Sequence, residues 1–229
     1  MTVHIRPQAL ADTTVRPFSM LIGGAWVSGA EGRTIDRVAP SHGVTVSRYQ
    51  AATAIDAERA IAAARKAFDH GPWPHMTASQ RSLVLLKAAD LIAARADELA
   101  YLDCIEAGKP ISQVRGEIAG AVDIWRYAAA LARELHGDSY NSLGRNMLGV
   151  VLREAIGVVS IITPWNFPFL IVSQKLPFAL AAGCTTVVKP SEFTSGSTLL
   201  LGEILMEAGI PQGVVNIIVG TGAEIGATL

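Results

Sequence analysis

The sequence predicts an α/β fold built on a parallel sheet, with a mostly helical region in front of it. Two observations in the C-terminal third support this prediction. Apolar runs at 156–163, 185–189 and 214–219 are separated by helical segments, which gives the order β-α-β-α-β. Such an order implies parallel strands joined by right-handed crossovers. Polar or glycine-rich stretches follow each run, as expected where ligands bind outside the carboxyl ends of parallel strands.

Length and composition indicate a globular protein. The chain has 229 residues, of which 50% are hydrophobic, and a net charge of -1. This is enough for one large or two small domains. The near-neutral charge, without any Lys/Arg-rich run, gives no electrostatic basis for binding nucleic acid. The five histidines show no ligand spacing, so we expect no metal site.

The compartment follows from the first residues and the cysteines. The first twenty residues contain charged side chains and no sustained apolar run. They therefore argue against a signal peptide and for a cytoplasmic protein. The two cysteines, Cys104 and Cys184, suggest no disulfide framework.

The segment 157–183 has few polar residues and is the one candidate for a membrane span. Pro164, Pro168 and Pro177 interrupt it, whereas a spanning helix must satisfy all of its backbone groups internally. A buried strand, a loop and a core-facing helix explain it better, and we expect no membrane association.

Four regions are predicted along the chain. They are a flexible N-terminal extension at 1–20, a mostly helical part at 21–140, a β-ribbon arm at 141–155 and an α/β segment at 156–229. In the helical part, glycines at 21–38 indicate a hairpin region. Thr77 and Gln80 form a capping box, and the helix they open should reach about Ala100.

Further elements follow from the apolar spacing. The buried side of the helix opened at Thr77 should carry Leu83, Leu86, Leu91 and Ile92. A helix from about 112 should run to 135 and stop at Gly137, with Trp125 packed in the core. The strand at 156–163 is continuously apolar, which predicts cover on both faces. Helices should follow at 169–183, adjusted at Pro177, and at 195–209.

The loop that follows the first parallel strand carries a candidate catalytic residue, Asn166. Pro164 and Pro168 flank it, and proline restricts both itself and the residue before it. An amide held this firmly can stabilise a developing oxyanion. A turn asparagine that bonds its own backbone is an equally good interpretation of the local sequence.

The second strand ends in a candidate ribose site. Lys189 and Glu192 could bond the two hydroxyls of a ribose as donor and acceptor, since a carboxylate at such an edge reads ribose hydroxyls in dinucleotide folds. The alternative is a surface ion pair worth about 0–1 kcal/mol. After the third strand, Gly220, Gly222 and Gly226 approximate the dinucleotide fingerprint but miss its spacing by one residue.

Together these stretches resemble the aldehyde dehydrogenase superfamily. The resemblance lies in Pro164-Trp165-Asn166-Phe167-Pro168, Lys189-Pro190-Ser191-Glu192 and Gly220-Thr221-Gly222. It extends to Gly23-Gly24-Ala25-Trp26, Glu106-Ala107-Gly108-Lys109-Pro110 and Leu152-Arg153-Glu154. It implies a Rossmann-like parallel sheet with flanking helices, and it identifies 141–155 as a ribbon used for oligomerisation. A homo-oligomer is therefore expected for the complete protein.

The resemblance also implies a reaction. In such enzymes a cysteine thiolate attacks an aldehyde, hydride passes to NAD⁺ or NADP⁺, and a glutamate-activated water releases the acid. Asn166 matches the amide that holds the oxyanion, and Lys189 and Glu192 match the residues at the adenosine ribose. The implied cofactor-binding residues are Ile162, Thr163, Pro164, Trp165, Asn166, Lys189, Ser191, Glu192, Gly222 and Gly226. Glu192 favours NAD⁺, because a 2′-phosphate would meet a like charge, although NADP⁺ is also used with this motif.

The family's nucleophilic cysteine and base glutamate follow the last residue of this chain. Cys104 and Cys184 are interpreted as small core residues. The resemblance therefore implies a truncated chain, the N-terminal part of an aldehyde dehydrogenase, inactive by itself. A non-catalytic nucleotide-binding or assembly module is the alternative. A different Rossmann-type dehydrogenase is disfavoured by the late third glycine and by the absence of a leading cofactor strand.

Overall fold

A five-stranded sheet forms the centre of the fold in the computed structural model, which describes residues 14–229. Its strand order is β3-β2-β10-β9-β8. The bounds are β2 Met20–Ile22, β3 Ala25–Val27, β8 Val158–Ile162, β9 Thr185–Lys189 and β10 Val215–Ile217. Strands β8, β9 and β10 are parallel, as the β-α-β-α-β pattern predicts. The β2–β3 hairpin joins β10 in antiparallel orientation and turns at Gly23-Gly24, both of which have positive φ.

The remaining strands form two smaller sheets. The first has the order β1-β5-β4, with β1 Arg16–Phe18, β4 Thr34–Val38 and β5 Thr45–Gln50. The second is a ribbon of β6 Asp138–Tyr140 and β7 Gly149–Val151. The sequence prediction did not include β1, β5 or β6, because short strands with polar residues carry a weak alternation signal.

The helices pack around these sheets. They are α1 Ala54–His70, α2 Ala78–Ala94, α3 Ala96–Ala107, α4 Ile111–Leu131, α5 Pro168–Ser173, α6 Leu176–Ala181, α7 Gly196–Ala208 and α8 Gly222–Ile225, with a 3₁₀ turn at Trp73–His75. The capping box of Thr77 and Gln80 opens α2 as predicted. Trp125 on α4 is fully buried and donates its Nε1 proton to Ser173 Oγ at 3.1 Å, which confirms its place in the core.

Several predicted boundaries differ from the structure. The predicted helix from Thr77 to Ala100 is two helices that meet at Arg95. The helix predicted to reach 135 ends at Leu131, and the helical region at 169–183 is interrupted at residues 174–175, just before Pro177. Pro177 has no N–H to donate to the carbonyl of Ser173 four residues earlier, and its ring clashes with that carbonyl, which explains this break.

Two burial predictions are wrong. Leu83 and Leu86 are 64% and 39% exposed, and Leu85 lies on the buried side of α2 instead. Ile92 is buried as predicted, and Leu91 is partly buried against the core. The apolar run of β8 is not covered on both faces, because Ser160 and Ile162, which share one face of the strand, are exposed. Strand β8 also lies at the edge of the sheet. In an Ala- and Leu-rich helix, and in a run of apolar residues at a sheet edge, the pattern alone cannot select the covered face.

The ends of the predicted regions also shift. Residues 1–13 of the predicted extension lie outside the described residues, while β1 already begins at Arg16 and pairs with β5. The ribbon begins at Asp138, three residues before the predicted start, because its first strand is polar. The ribbon and the segment after it expose large apolar side chains, among them Leu148, Leu152 and Ile156.

Residues 14–229 contain no helix that combines the length and the apolar character needed to cross a membrane. The same residues contain no group of three or more His, Cys, Asp or Glu side chains that could hold a metal ion.

Candidate functional site

The candidate residues lie at the carboxyl ends of the three parallel strands. Ile162 at the end of β8 is paired in register with Lys189 at the end of β9. The loop of Asn166 therefore leaves the sheet beside the turn that carries Glu192. Strand β10 lies on the other side of β9, and Gly222 follows it at the start of α8. The fold thus brings the three predicted stretches to one edge of the sheet.

The loop between β8 and α5 presents an exposed Asn166 whose backbone is anchored. Lys109 Nζ donates a hydrogen bond to the Asn166 carbonyl oxygen at 3.0 Å and lies 4.0 Å from the centroid of the Phe167 ring. Thr194 Oγ1 donates to the Trp165 carbonyl oxygen at 3.2 Å. The backbone is therefore held on two sides of the loop.

A third anchor holds the end of the same loop. The backbone N–H of Phe169, in the first turn of α5, donates to Asp103 Oδ2 at 3.3 Å. Among the hydrogen bonds of residues 14–229, none involves the side-chain amide of Asn166. A turn asparagine that bonds its own backbone is therefore not what the structure shows, and the amide is available to a ligand.

Lys189 and Glu192 form a loose pair at the end of β9. The Lys189 side chain is 5% exposed and the Glu192 side chain 22% exposed, with Nζ 3.6 Å from Oε2. Within the described residues, the one hydrogen bond of Lys189 Nζ is a long bond of 3.4 Å to the Pro190 carbonyl oxygen. A buried ammonium has three donors to satisfy, so this pair retains capacity for a hydroxyl-bearing ligand.

Three other candidates have different surroundings. The hydroxyl of Ser191 accepts from the backbone N–H of Phe193 at 3.3 Å, which stabilises the turn after β9. Thr163 Oγ1 is buried and has no hydrogen-bond partner in the described chain. Gly222 faces open space, since a Cβ there would meet no atom within 4 Å. Gly226 lies at the end of α8, where its N–H bonds the Gly222 carbonyl oxygen at 2.9 Å.

The remaining candidates are exposed. Ile162 and Trp165 are each 57% exposed, and Pro164 between them is also exposed. They form an apolar surface where the chain leaves the sheet. Such a surface suits the flat, weakly polar face of an aromatic ring.

Two buried carboxyl groups lie behind the loop, on α3. Burial raises the pKa of Asp103 to about 7, and the neighbouring Glu106 adds to this while the Ser197 hydroxyl opposes it. Burial also raises the pKa of Glu106, although Ser47 Oγ donates to its carboxylate at 2.6 Å and the N–H of Gly196 donates to it at 3.0 Å. Glu106 therefore caps the start of α7.

Neither cysteine has the surroundings of a nucleophile. Cys184 is 4% exposed and precedes β9. Cys104 lies on α3, its Sγ donates to the Lys109 carbonyl oxygen at 3.1 Å, and burial raises the pKa of its thiol. A raised pKa lowers the thiolate fraction on which reactivity depends.

Sequence reasoning missed the residues that hold the Asn166 loop. Lys109 is named from the sequence only within the stretch Glu106-Ala107-Gly108-Lys109-Pro110, and Asp103, Glu117 and Thr194 are not singled out. The one signal in the sequence is that Lys109 belongs to a stretch that resembles the family.

Comparison with known proteins places this geometry in context. Residues 26–229 match the aldehyde dehydrogenase family. The chain is 40% identical over 211 residues to aldehyde dehydrogenase family 2 member C4 of Arabidopsis thaliana, covering 92% of this chain and 42% of that protein. It is 42% identical over 222 residues to aminoaldehyde dehydrogenase 2 of Zea mays, covering 94% and 44%.

Solved structures give the same result. An NAD-dependent aldehyde dehydrogenase from Sinorhizobium meliloti superposes with a TM-score of 0.95 at 50% identity, covering 98% of this chain and 45% of that one. A betaine aldehyde dehydrogenase variant from Staphylococcus aureus in complex with NAD⁺ superposes with a TM-score of 0.89 at 36% identity, covering 91% and 42%. The chain thus spans less than half the length of these relatives.

Proposed function

This chain belongs to the aldehyde dehydrogenase family, and from that we propose that it is the N-terminal, nucleotide-binding part of an NAD(P)⁺-dependent enzyme oxidising an aldehyde to a carboxylic acid. The observation that carries the proposal is the register of β8 and β9, which sets the Asn166 loop beside Lys189 and Glu192 at one edge of the sheet. Relatives solved with NAD⁺ support the choice of cofactor.

The residues present fit a nicotinamide dinucleotide. The ammonium of Lys189 has unused donors and the carboxylate of Glu192 is partly exposed beside it, which suits a vicinal diol. The Thr163 hydroxyl is buried without a partner in the described chain. Gly222 leaves the entry to α8 open. When bound, the dinucleotide supplies the hydride acceptor.

Each side chain then has a defined task. Lys189 donates to, and Glu192 accepts from, the hydroxyls of a ribose, and the charge of Glu192 disfavours a 2′-phosphate, so NAD⁺ is the preferred dinucleotide. Ile162 and Trp165 supply apolar contact. The Asn166 amide donates a hydrogen bond to the oxygen of a small-molecule aldehyde as negative charge develops there, which is the interaction that lowers the barrier.

The same proposal includes location and assembly. The two cysteines are free thiols, which is typical of a reducing compartment and supports the cytoplasm. The exposed apolar side chains of the β6–β7 ribbon support a homo-oligomer, because exposed strand edges and apolar patches of this kind favour pairing with another chain.

Calorimetric titration of the 229-residue chain with NAD⁺ and NADP⁺ tests nucleotide binding. We expect weak binding, and we expect Lys189→Met and Glu192→Gln to abolish it. Lys87 is an exposed lysine on α2, and Lys87→Met should leave the binding unchanged. The absence of heat with both dinucleotides contradicts the binding site.

An activity assay tests whether the catalytic groups lie within this chain. We expect no aldehyde oxidation by the 229-residue chain, because burial raises the pKa of Cys104 and Cys184 is enclosed. Turnover by the pure chain would show that the catalytic groups lie within it. Binding without turnover that persists in every longer form of the protein would favour a non-catalytic nucleotide-binding or assembly module.

A further inference from the structure

We propose that Lys109, paired with Glu117, is a positioning residue that aims the Asn166 amide at the reacting carbonyl; this inference rests on the proposed function. Lys109 follows Gly108, which ends α3 in the left-handed conformation with φ 72°. That turn directs the lysine to the Asn166 loop, 57 residues further along the chain.

The ammonium of Lys109 is enclosed and fully used. Its side chain is 13% exposed, and Nζ lies 2.5 Å from the Glu117 carboxylate, 3.0 Å from the Asn166 carbonyl oxygen and 4.0 Å from the Phe167 ring centroid. A lysine has three donors, and these contacts occupy them. Lys109 therefore has no donor left for a substrate, and it acts through the loop.

Glu117 makes this arrangement possible. Its side chain is 8% exposed on α4 and accepts a further hydrogen bond from Gln113 Nε2 at 3.0 Å. An unpaired buried charge is strongly unfavourable, and the Glu117 carboxylate supplies the opposite charge beside the ammonium at this depth. The charge in turn strengthens the hydrogen bond to the Asn166 carbonyl, because ionised donors form the stronger bonds.

The position of the bond matters for the side chain. A hydrogen bond to the carbonyl of Asn166 itself fixes the peptide plane that follows its Cα, and the ring contact fixes Phe167. The side-chain amide then leaves from a fixed point while remaining free of protein partners. Preorganised donors stabilise a transition state because they do not reorient during the reaction.

The alternative reading is that the pair stabilises the α3–α4 junction and nothing more. The two interpretations differ in whether the kinetic effect of losing Lys109 depends on the Asn166 side chain. A positioning role requires that loss of Lys109 has its kinetic effect through the amide, whereas a stabilising role lowers the amount of folded enzyme independently of Asn166.

A double-mutant cycle separates them. In a complete aldehyde dehydrogenase that carries this chain as its N-terminal part, kcat and KM are measured for Lys109→Met, Asn166→Ala and both together. Lys109→Met/Glu117→Gln serves as a version without an unpaired buried carboxylate. Lys109→Arg retains the charge and donors, and Lys87→Met is the matched exposed control.

We expect Lys109→Met and Lys109→Met/Glu117→Gln to lower kcat by about 10-fold or more with little change in KM for the dinucleotide, less than the roughly 10²–10³-fold loss of a whole oxyanion donor. Lys109→Arg should recover part of the loss. In the Asn166→Ala background, Lys109→Met should have almost no further effect, since both act on one interaction.

Additive losses, or a loss explained by less folded protein at unchanged kcat, would overturn the proposal. Hydrogen exchange of the segment 164–169 in the 229-residue chain gives a readout independent of activity, and Lys109→Met should accelerate it while Lys87→Met does not. If the enzyme oxidises no aldehyde at all but this acceleration is observed, the proposed function fails while the anchoring of the loop stands.

Discussion

The pKa of Asp103 makes a quantitative prediction about stability. Burial raises it from the ordinary value of 3.8 to about 7. The native chain therefore holds a proton on Asp103 over a range in which the unfolded chain has released it. The resulting stability is fully present below about pH 4 and is lost as the pH rises through about 7. Substitution by asparagine keeps the shape, the acceptor for the Phe169 N–H and a neutral charge.

The expected size follows from linkage between protonation and folding. Between about pH 5.5 and 8.5, the proton on native Asp103 accounts for a loss of about 2 kcal/mol in the free energy of unfolding. Asp103→Asn removes this contribution, so its free energy of unfolding should fall less steeply over the same interval. The other titratable groups that interact with Asp103 are Glu106 and Cys104 on the same helix and Lys109 after it, and all are retained in both proteins.

Urea unfolding followed by tryptophan fluorescence at a series of pH values measures the difference. Subtracting the variant from the parent cancels the groups that both share. Asp97→Asn, an exposed aspartate on the same helix with a side chain 85% exposed, is the control and should give a flat difference. A flat difference for Asp103→Asn would show that Asp103 is ionised in the native chain and would refute the argument from burial.

Three further predictions concern single interactions. Asn166→Ala in the complete enzyme should lower kcat by about 10²–10³ while dinucleotide affinity stays the same, and an unchanged rate under chemistry-limited conditions would remove Asn166 from the proposed role. Trp125→Phe should lower the free energy of unfolding, measured by the same urea titration, by about 1–3 kcal/mol, because it leaves the buried Ser173 hydroxyl without its partner. The control Trp26→Phe changes a side chain that is 39% exposed, and it should lower the free energy of unfolding much less. Thr77→Ala should lower the free energy of unfolding by about 1 kcal/mol through loss of the α2 cap, whereas Thr77→Ser should keep the cap and the stability. Equal stability of the Ala and Ser variants would contradict the capping assignment.

The parallel strands were predictable because their signal is local and strong. Strand β9 has the predicted bounds, and α7 ends one residue before Gly209, whose φ of 101° terminates it. Burial on both faces leaves a continuous apolar run, and glycine marks the helix end. The same reasoning failed for β8, because an apolar run does not reveal whether another strand or helix covers it.

The location of the candidate residues at one edge of the sheet was also predictable, since the carboxyl ends of parallel strands lie at the same edge. The groups that hold the loop were not. Asp103, Lys109 and Thr194 are separated from their loop partners by 66, 57 and 29 residues. Contacts across such separations depend on how helices pack against the sheet, and no periodicity in the chain records them.

These separations have a consequence for the order of synthesis. Asp103 and Lys109 leave the ribosome well before the loop that they hold, and Thr194 leaves it afterwards. Since N-terminal parts of a growing chain generally organise first, the helices α3 and α4 can already be formed, and can bind the loop, when residues 164–168 emerge. The last contact, from Thr194, closes only once the second parallel strand has been made. The loop is thus completed in two stages of translation, with its contacts to Asp103 and Lys109 available before the contact from Thr194.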